Sequence, residues 1–170
     1  MTGESTPEYW LLGPVPGVPE LLQPVAHALL QARKEVLECV SDFPEELLWE
    51  QPAGLASVGF HLQHLAGVID RLFTYANKEQ LSAEQLTYLS LEGKPDTSIA
   101  SLASHFDRQV NTALEQLTTI DVSSLTETRG VGRKQIPSTV LGLLFHAAEH
   151  TMRHTGQLLV TIRILKDYTV

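Results

Sequence analysis

Seven histidines, His27, His61, His64, His105, His146, His150 and His154, are the residues of this chain best suited to chemistry. His146, His150 and His154 recur every fourth residue. At 3.6 residues per turn each step drifts only ~40° around a helix axis, so on a helix the three form one stripe. Two imidazoles one turn apart can direct their ring nitrogens at a single ion, which is half of many zinc and nickel sites, and the other half must come from elsewhere. His61 and His64, three residues apart on an earlier segment, offer it. Without an ion, so many buried histidines would each need a separate hydrogen-bond partner. A mononuclear divalent-metal site between helices is therefore the better reading. His27 and His105 stand alone and read as core residues bonded to backbone carbonyls.

Two other metal chemistries fail on spacing. His146-Ala147-Ala148-Glu149-His150 has the H-x-x-E-H form of a class of zinc peptidases, but those need a further acid downstream, and Asp167 is the sole acid after His154. A di-iron carboxylate bundle needs Glu-x-x-His on two helices. No Glu-x-x-His occurs. Arg129, Arg133 and Lys134 cluster beside Gly130 and Gly132 and have the chemistry to hold carboxylates, although a solvated loop would look the same.

The elements that must position the histidines can be traced from periodicity. Residues 1–19, with Pro7, Pro14, Pro16 and Pro19, cannot sustain a helix and predict an extended lead-in; its Tyr9, Trp10, Leu11 and Leu12 should lie against the domain or a second subunit. Apolar residues at steps of three and four predict a helix from Glu20 to about Ser41. A second helix starts after Ser57 as N-cap and runs along Val58, Leu62, Leu65, Ile69, Leu72 and Ala76 to about Asn77. Ser82 and Gln85 have the capping-box spacing of a short helix to about Leu89. Thr97 or Ser98 caps a helix along Leu102, Phe106, Val110 and Leu117, a long loop covers 121–137, and a last helix runs from Ser138 to about Lys166. The expected fold is all-α: a four-helix bundle in one domain over 20–170.

Composition narrows the partners. Twenty acidic against twelve basic residues leave a net charge of −8, which speaks against nucleic acid and anionic membranes. No run of 18 apolar residues occurs and the first residues carry carboxylates, so a cytoplasmic protein is expected. Cys39, the single cysteine, excludes an internal disulfide and reads as a core residue.

His61-Leu62-Gln63-His64-Leu65-Ala66-Gly67 and His150-Thr151-Met152-Arg153-His154-Thr155-Gly156-Gln157-Leu158 resemble the two signature segments of the DinB/YfiT-like superfamily. Tyr9 to Pro16 and Leu48-Trp49-Glu50-Gln51-Pro52 extend the resemblance over nearly the whole chain. It implies a four-helix bundle, commonly a homodimer, binding a divalent ion such as nickel or zinc through three histidines. Matched residue by residue, these are His64, His150 and His154, with His61, His146 and Gln157 left as supporting residues. On the apolar seam, in contrast, His61 projects nearer the centre than His64, roughly 70° off against 130°. The resemblance also implies thiol transfer with a low-molecular-weight thiol such as bacillithiol or mycothiol. Three neutral ligands leave the ion an open position to acidify a thiol or a water, so metal-dependent hydrolysis of a small-molecule substrate is an alternative and a non-catalytic metal-binding bundle the rival.

Overall fold

The computed structural model describes residues 7–95 and 97–167. Five helices dominate: α1 (Gln23–Val40), α2 (Val58–Ala76), the short α3 (Ala83–Leu91), α4 (Ile99–Thr119) and α5 (Val140–Asp167). Both α2 and α1 pack on α5 and on α4, and the seam between them holds the fully buried Leu29, Val36, Leu62, Leu65, Ile69, Phe106, Val110, Leu117, Leu144 and Leu158. The helices begin where side chains satisfy the orphan amides of a first turn. Ser57 accepts from Phe60 N, Ser98 from Ser101 N, and Ser82 with Gln85 forms a complete capping box.

The lead-in runs against α1. Several of its described backbone polar groups are met by α1 side chains: Gln23 Nε2 donates to Val15 O and Val18 O while Oε1 accepts from Val15 N, and Gln31 accepts from Tyr9 N. His27 Nε2 lies 2.9 Å from Gly13 O. Tyr9–Leu11 forms one 3-10 turn, and residues 1–6 lie outside the described residues. Trp10, Leu11 and Leu12 remain exposed.

The all-α expectation needs one correction. Across the expected loop over 121–137 and the expected helix start at Ser138, Thr128–Val131 (β1) and Ile136–Thr139 (β2) pair antiparallel, with Val131 opposite Ile136, so the last helix begins at Val140 instead. Periodicity misses strands this short, and Pro137 argues against one. Each strand of a two-stranded sheet has an open edge where proline is tolerated. Among the described residues no helix is long and apolar enough to cross a membrane.

Candidate metal centre

The centre of the molecule is α2, covered by α4, α5, α3 and β1. A helix enclosed on so many sides must find partners for each of its polar residues. Gln63, 2% exposed, accepts from Gly93 N (2.6 Å) and donates to Lys94 O (3.2 Å), and the Tyr88 hydroxyl donates to Gln63 O. These bonds latch the turn after α3 onto α2. The turn carries Glu92, whose side chain is 6% exposed, to within 2.7 Å of His64 Nδ1 and 2.6 Å of Arg71 Nη1. Burial pushes the Glu92 carboxyl up, but the hydrogen bonds from His64 and Arg71 and the guanidinium charge outweigh it and hold the group below the ordinary carboxylate value. It is a buried carboxylate between a cation and an imidazole.

Gly67 makes that approach feasible. A Cβ there would lie 2.5 Å from Arg71 Nη1 and 2.6 Å from Glu92 Oε1. The glycine of the helix-two signature thus leaves room for the ion pair.

His64 Nδ1 is turned to Glu92, which leaves Nε2 as the atom that faces His150 Nε2, at 2.9 Å. His154 lies beside both, its ring centroid 4.5 Å from each. One ring nitrogen from each of His64, His150 and His154 falls within 4.8 Å of the others. Bonds of ~2.0–2.1 Å at tetrahedral angles separate ligand nitrogens by ~3.4 Å, so small ring rotations suffice for one ion to touch all three. The donor set fits a borderline-soft divalent cation, and the His64–Glu92 pair is the carboxylate–imidazole arrangement that commonly orients a metal ligand.

His61 is 2% exposed, as its place near the seam requires, and its Nδ1 lies 3.3 Å from His154 Nδ1. Both α2 histidines thus face α5, His61 against His154 and the more peripheral His64 against His150 and His154. Burial, followed by the charge of His64, pushes His61 down to about 4. Burial, and then His64, His150 and His61, does the same to His154, also to about 4. The rings are neutral at physiological pH, the form that binds metal. Phe60 stacks on His64 at 5.3 Å and shields one face.

The remaining expected residues lie at the periphery. His146 is exposed, 2.7 Å from Glu149 Oε1 through Nδ1. Gln157 is exposed and lines a cavity of about 540 Å³ with Leu55, His61 and Arg153. His105 packs edge-on against Tyr88. The basic cluster stands away from the histidines: β2 ends at the start of α5, ten residues or ~15 Å of helix before His150. Arg129 is occupied there, Nε donating to Ala76 O at the end of α2 and Nη1 to Glu127. Cys39 donates to Val36 O, and burial pushes its thiol up to about 12, which disfavours the reactive thiolate. Sequence reasoning missed Glu92 and Arg71. The one available signal was Arg71 itself, seven residues after His64 on the same stripe and charged on an apolar helix.

A family model described as the DinB superfamily matches residues 28–158. Among solved structures, a crystal structure of a protein from Streptococcus pneumoniae superposes with a TM-score of 0.64 at 10% identity, covering 89% of this chain and 93% of that one. That likeness is one of fold. Comparison with curated proteins gives no match.

Proposed function

The chain belongs to the DinB superfamily, and on that premise we propose that His64, His150 and His154 hold one divalent ion, nickel or zinc, at the centre of a metal-dependent enzyme of the thiol S-transferase type. The observation that carries this reading is His64: its Nδ1 is turned to a buried carboxylate, and its Nε2 faces a second imidazole nitrogen at 2.9 Å. Two ring nitrogens so close need a proton or a cation between them, and a ring nitrogen of His154 converges with them. His64, His150 and His154 would hold a divalent ion without neutralising its charge, and that charge would supply acidification of a thiol or water toward neutral pH.

The protein's own part is to hold the ligands still. Arg71 fixes Glu92, Glu92 fixes the tautomer and ring plane of His64, His61 braces His154, and Phe60 keeps solvent from one face of His64. The cavity bordered by His61, Arg153 and Gln157 offers room beside this group for a small molecule. The reading includes a four-helix bundle made of α1, α2, α4 and α5, with the lead-in packed on it, a cytoplasmic location, and a homodimer, the last supported by the exposed Trp10, Leu11 and Leu12. Light scattering of the purified protein tests the dimer.

Metal analysis of protein grown with zinc and nickel tests the centre: one equivalent per chain is expected, lost in His64→Ala and His150→Ala. Consumption of bacillithiol or mycothiol in the presence of electrophiles, abolished by chelation and restored by the ion, tests the reaction. A protein that binds its ion and consumes no thiol under any such pairing is a non-catalytic metal-binding bundle or a metal-dependent hydrolase. One that takes up no metal after reconstitution refutes the reading.

A further inference from the structure

We infer that His146, Glu149 and His150 form a second, outer cation position, which passes a divalent ion inward to His64, His150 and His154 by sharing His150. The inference rests on the metal reading above. One ligand atom from each of His146, Glu149 and His150 lies within 4.8 Å of the others, and the set of two imidazoles and a carboxylate suits the same borderline cations as the inner group. The outer position is open to solvent, with the His146 side chain 48% and Glu149 29% exposed. Burial then deepens along α5. His146 is exposed, His150 and His154 are half-buried, and successive ring centroids stand 5.1 Å and 4.5 Å apart. An ion can advance one helical turn by exchanging ligands, without crossing a gap empty of donors.

His150 is built to be the shared ligand. Its Nε2 faces His64, and its buried Nδ1 has no hydrogen-bond partner among the described residues, so no carboxylate or carbonyl pins the ring. Metal-ligating histidines usually have that second nitrogen tied down. Here turning the ring between the two groups breaks the contact of Nε2 with His64 and no hydrogen bond through Nδ1. A filled inner site withdraws His150 from the outer set, so the arrangement is a relay and not a two-metal centre. Arg153, whose Nη2 lies 2.6 Å from Glu149 Oε2, keeps the outer position weak. A weak position releases its ion inward. The chain's net charge of −8 raises the local concentration of cations around it.

The test uses Co²⁺ as the probe, mixed rapidly with metal-free full-length protein while the absorbance of the coordinated ion is followed. Removing a capture site should slow uptake in His146→Ala and in Glu149→Gln by about tenfold. Release should slow by the same factor, leaving Kd unchanged, because a station on the path speeds both directions. In His64→Ala, where the inner set is broken, weak Co²⁺ binding should persist and vanish on adding His146→Ala. Uptake rates equal to the wild type, a weaker Kd with unaltered uptake, or no residual binding in His64→Ala would each overturn the relay while leaving the inner centre standing. Wild-type protein that takes up no Co²⁺ overturns both.

Discussion

Replacing Glu92 with glutamine isolates the contribution of the buried carboxylate to the metal centre. Glu92 accepts two hydrogen bonds at once, from His64 Nδ1 at 2.7 Å and from Arg71 Nη1 at 2.6 Å, with its side chain 6% exposed and that of Arg71 10%. An amide has one acceptor oxygen and one donor nitrogen. If the oxygen stays with Arg71, the NH₂ faces His64 Nδ1 and favours the tautomer with the proton on Nε2, which blocks the ligand atom. If the oxygen stays with His64, the NH₂ faces the guanidinium and a buried cation loses its counter-charge. Both orientations frustrate one partner. Loss of such a supporting group typically weakens metal binding 10- to 100-fold, or about 1.4–2.7 kcal/mol. Removing one partner of a buried ion pair costs about 3–5 kcal/mol of stability, and the retained amide bond places Glu92→Gln toward the lower end. The assay is competition between metal-free protein and a chelating dye for Zn²⁺ near neutral pH, at a temperature where circular dichroism shows the variant folded. A Zn²⁺ affinity equal to the wild type in a folded variant would refute the assignment of Glu92 to His64.

Gly67→Ala should destabilise the protein, although alanine in mid-helix normally gains about 1 kcal/mol over glycine, because the new Cβ displaces the Arg71–Glu92 pair; urea unfolding with a raised midpoint would contradict this. Chelation should lower Tm by roughly 5–10 °C without unfolding the chain, since native-state binding at a hundredfold excess over Kd adds about 2.7 kcal/mol. His150→Ala should abolish that shift while keeping its helical signal, and outright unfolding on chelation would make the ion structural. Acid should destabilise the metal-free protein. The depressed His61 and His154 stay neutral down to about 4, whereas the unfolded chain takes up their protons near the ordinary 6.5, so their contribution is complete above 6.5 and lost as pH falls toward 4. A urea midpoint that stays flat across that interval would show the two rings to be solvated.

The seam Val58, Leu62, Leu65, Ile69, Leu72 and Ala76 is buried along its whole length, and the caps at Ser57, Ser82 and Ser98 sit at the helix starts. Both features were legible because helical periodicity and capping depend on residues at most four apart. The stripe His146, His150 and His154 was legible for the same reason. Which atoms of His61 and His64 meet that stripe was not, because the seam angle reports burial only, and both rings face it, His61 at His154 and His64 at His150. The hairpin Thr128–Thr139 was missed since two four-residue strands with a proline carry almost no periodic signal. Glu92 lies 28 residues from His64 in a turn with no pattern of its own, and tertiary bonds such as those from Gln63 to Gly93 and Lys94 bring it there. Local spacing determined the helices and the histidine ladder; the carboxylate that orients His64, and the glycine that makes room for it, were decided by packing between segments far apart in the chain.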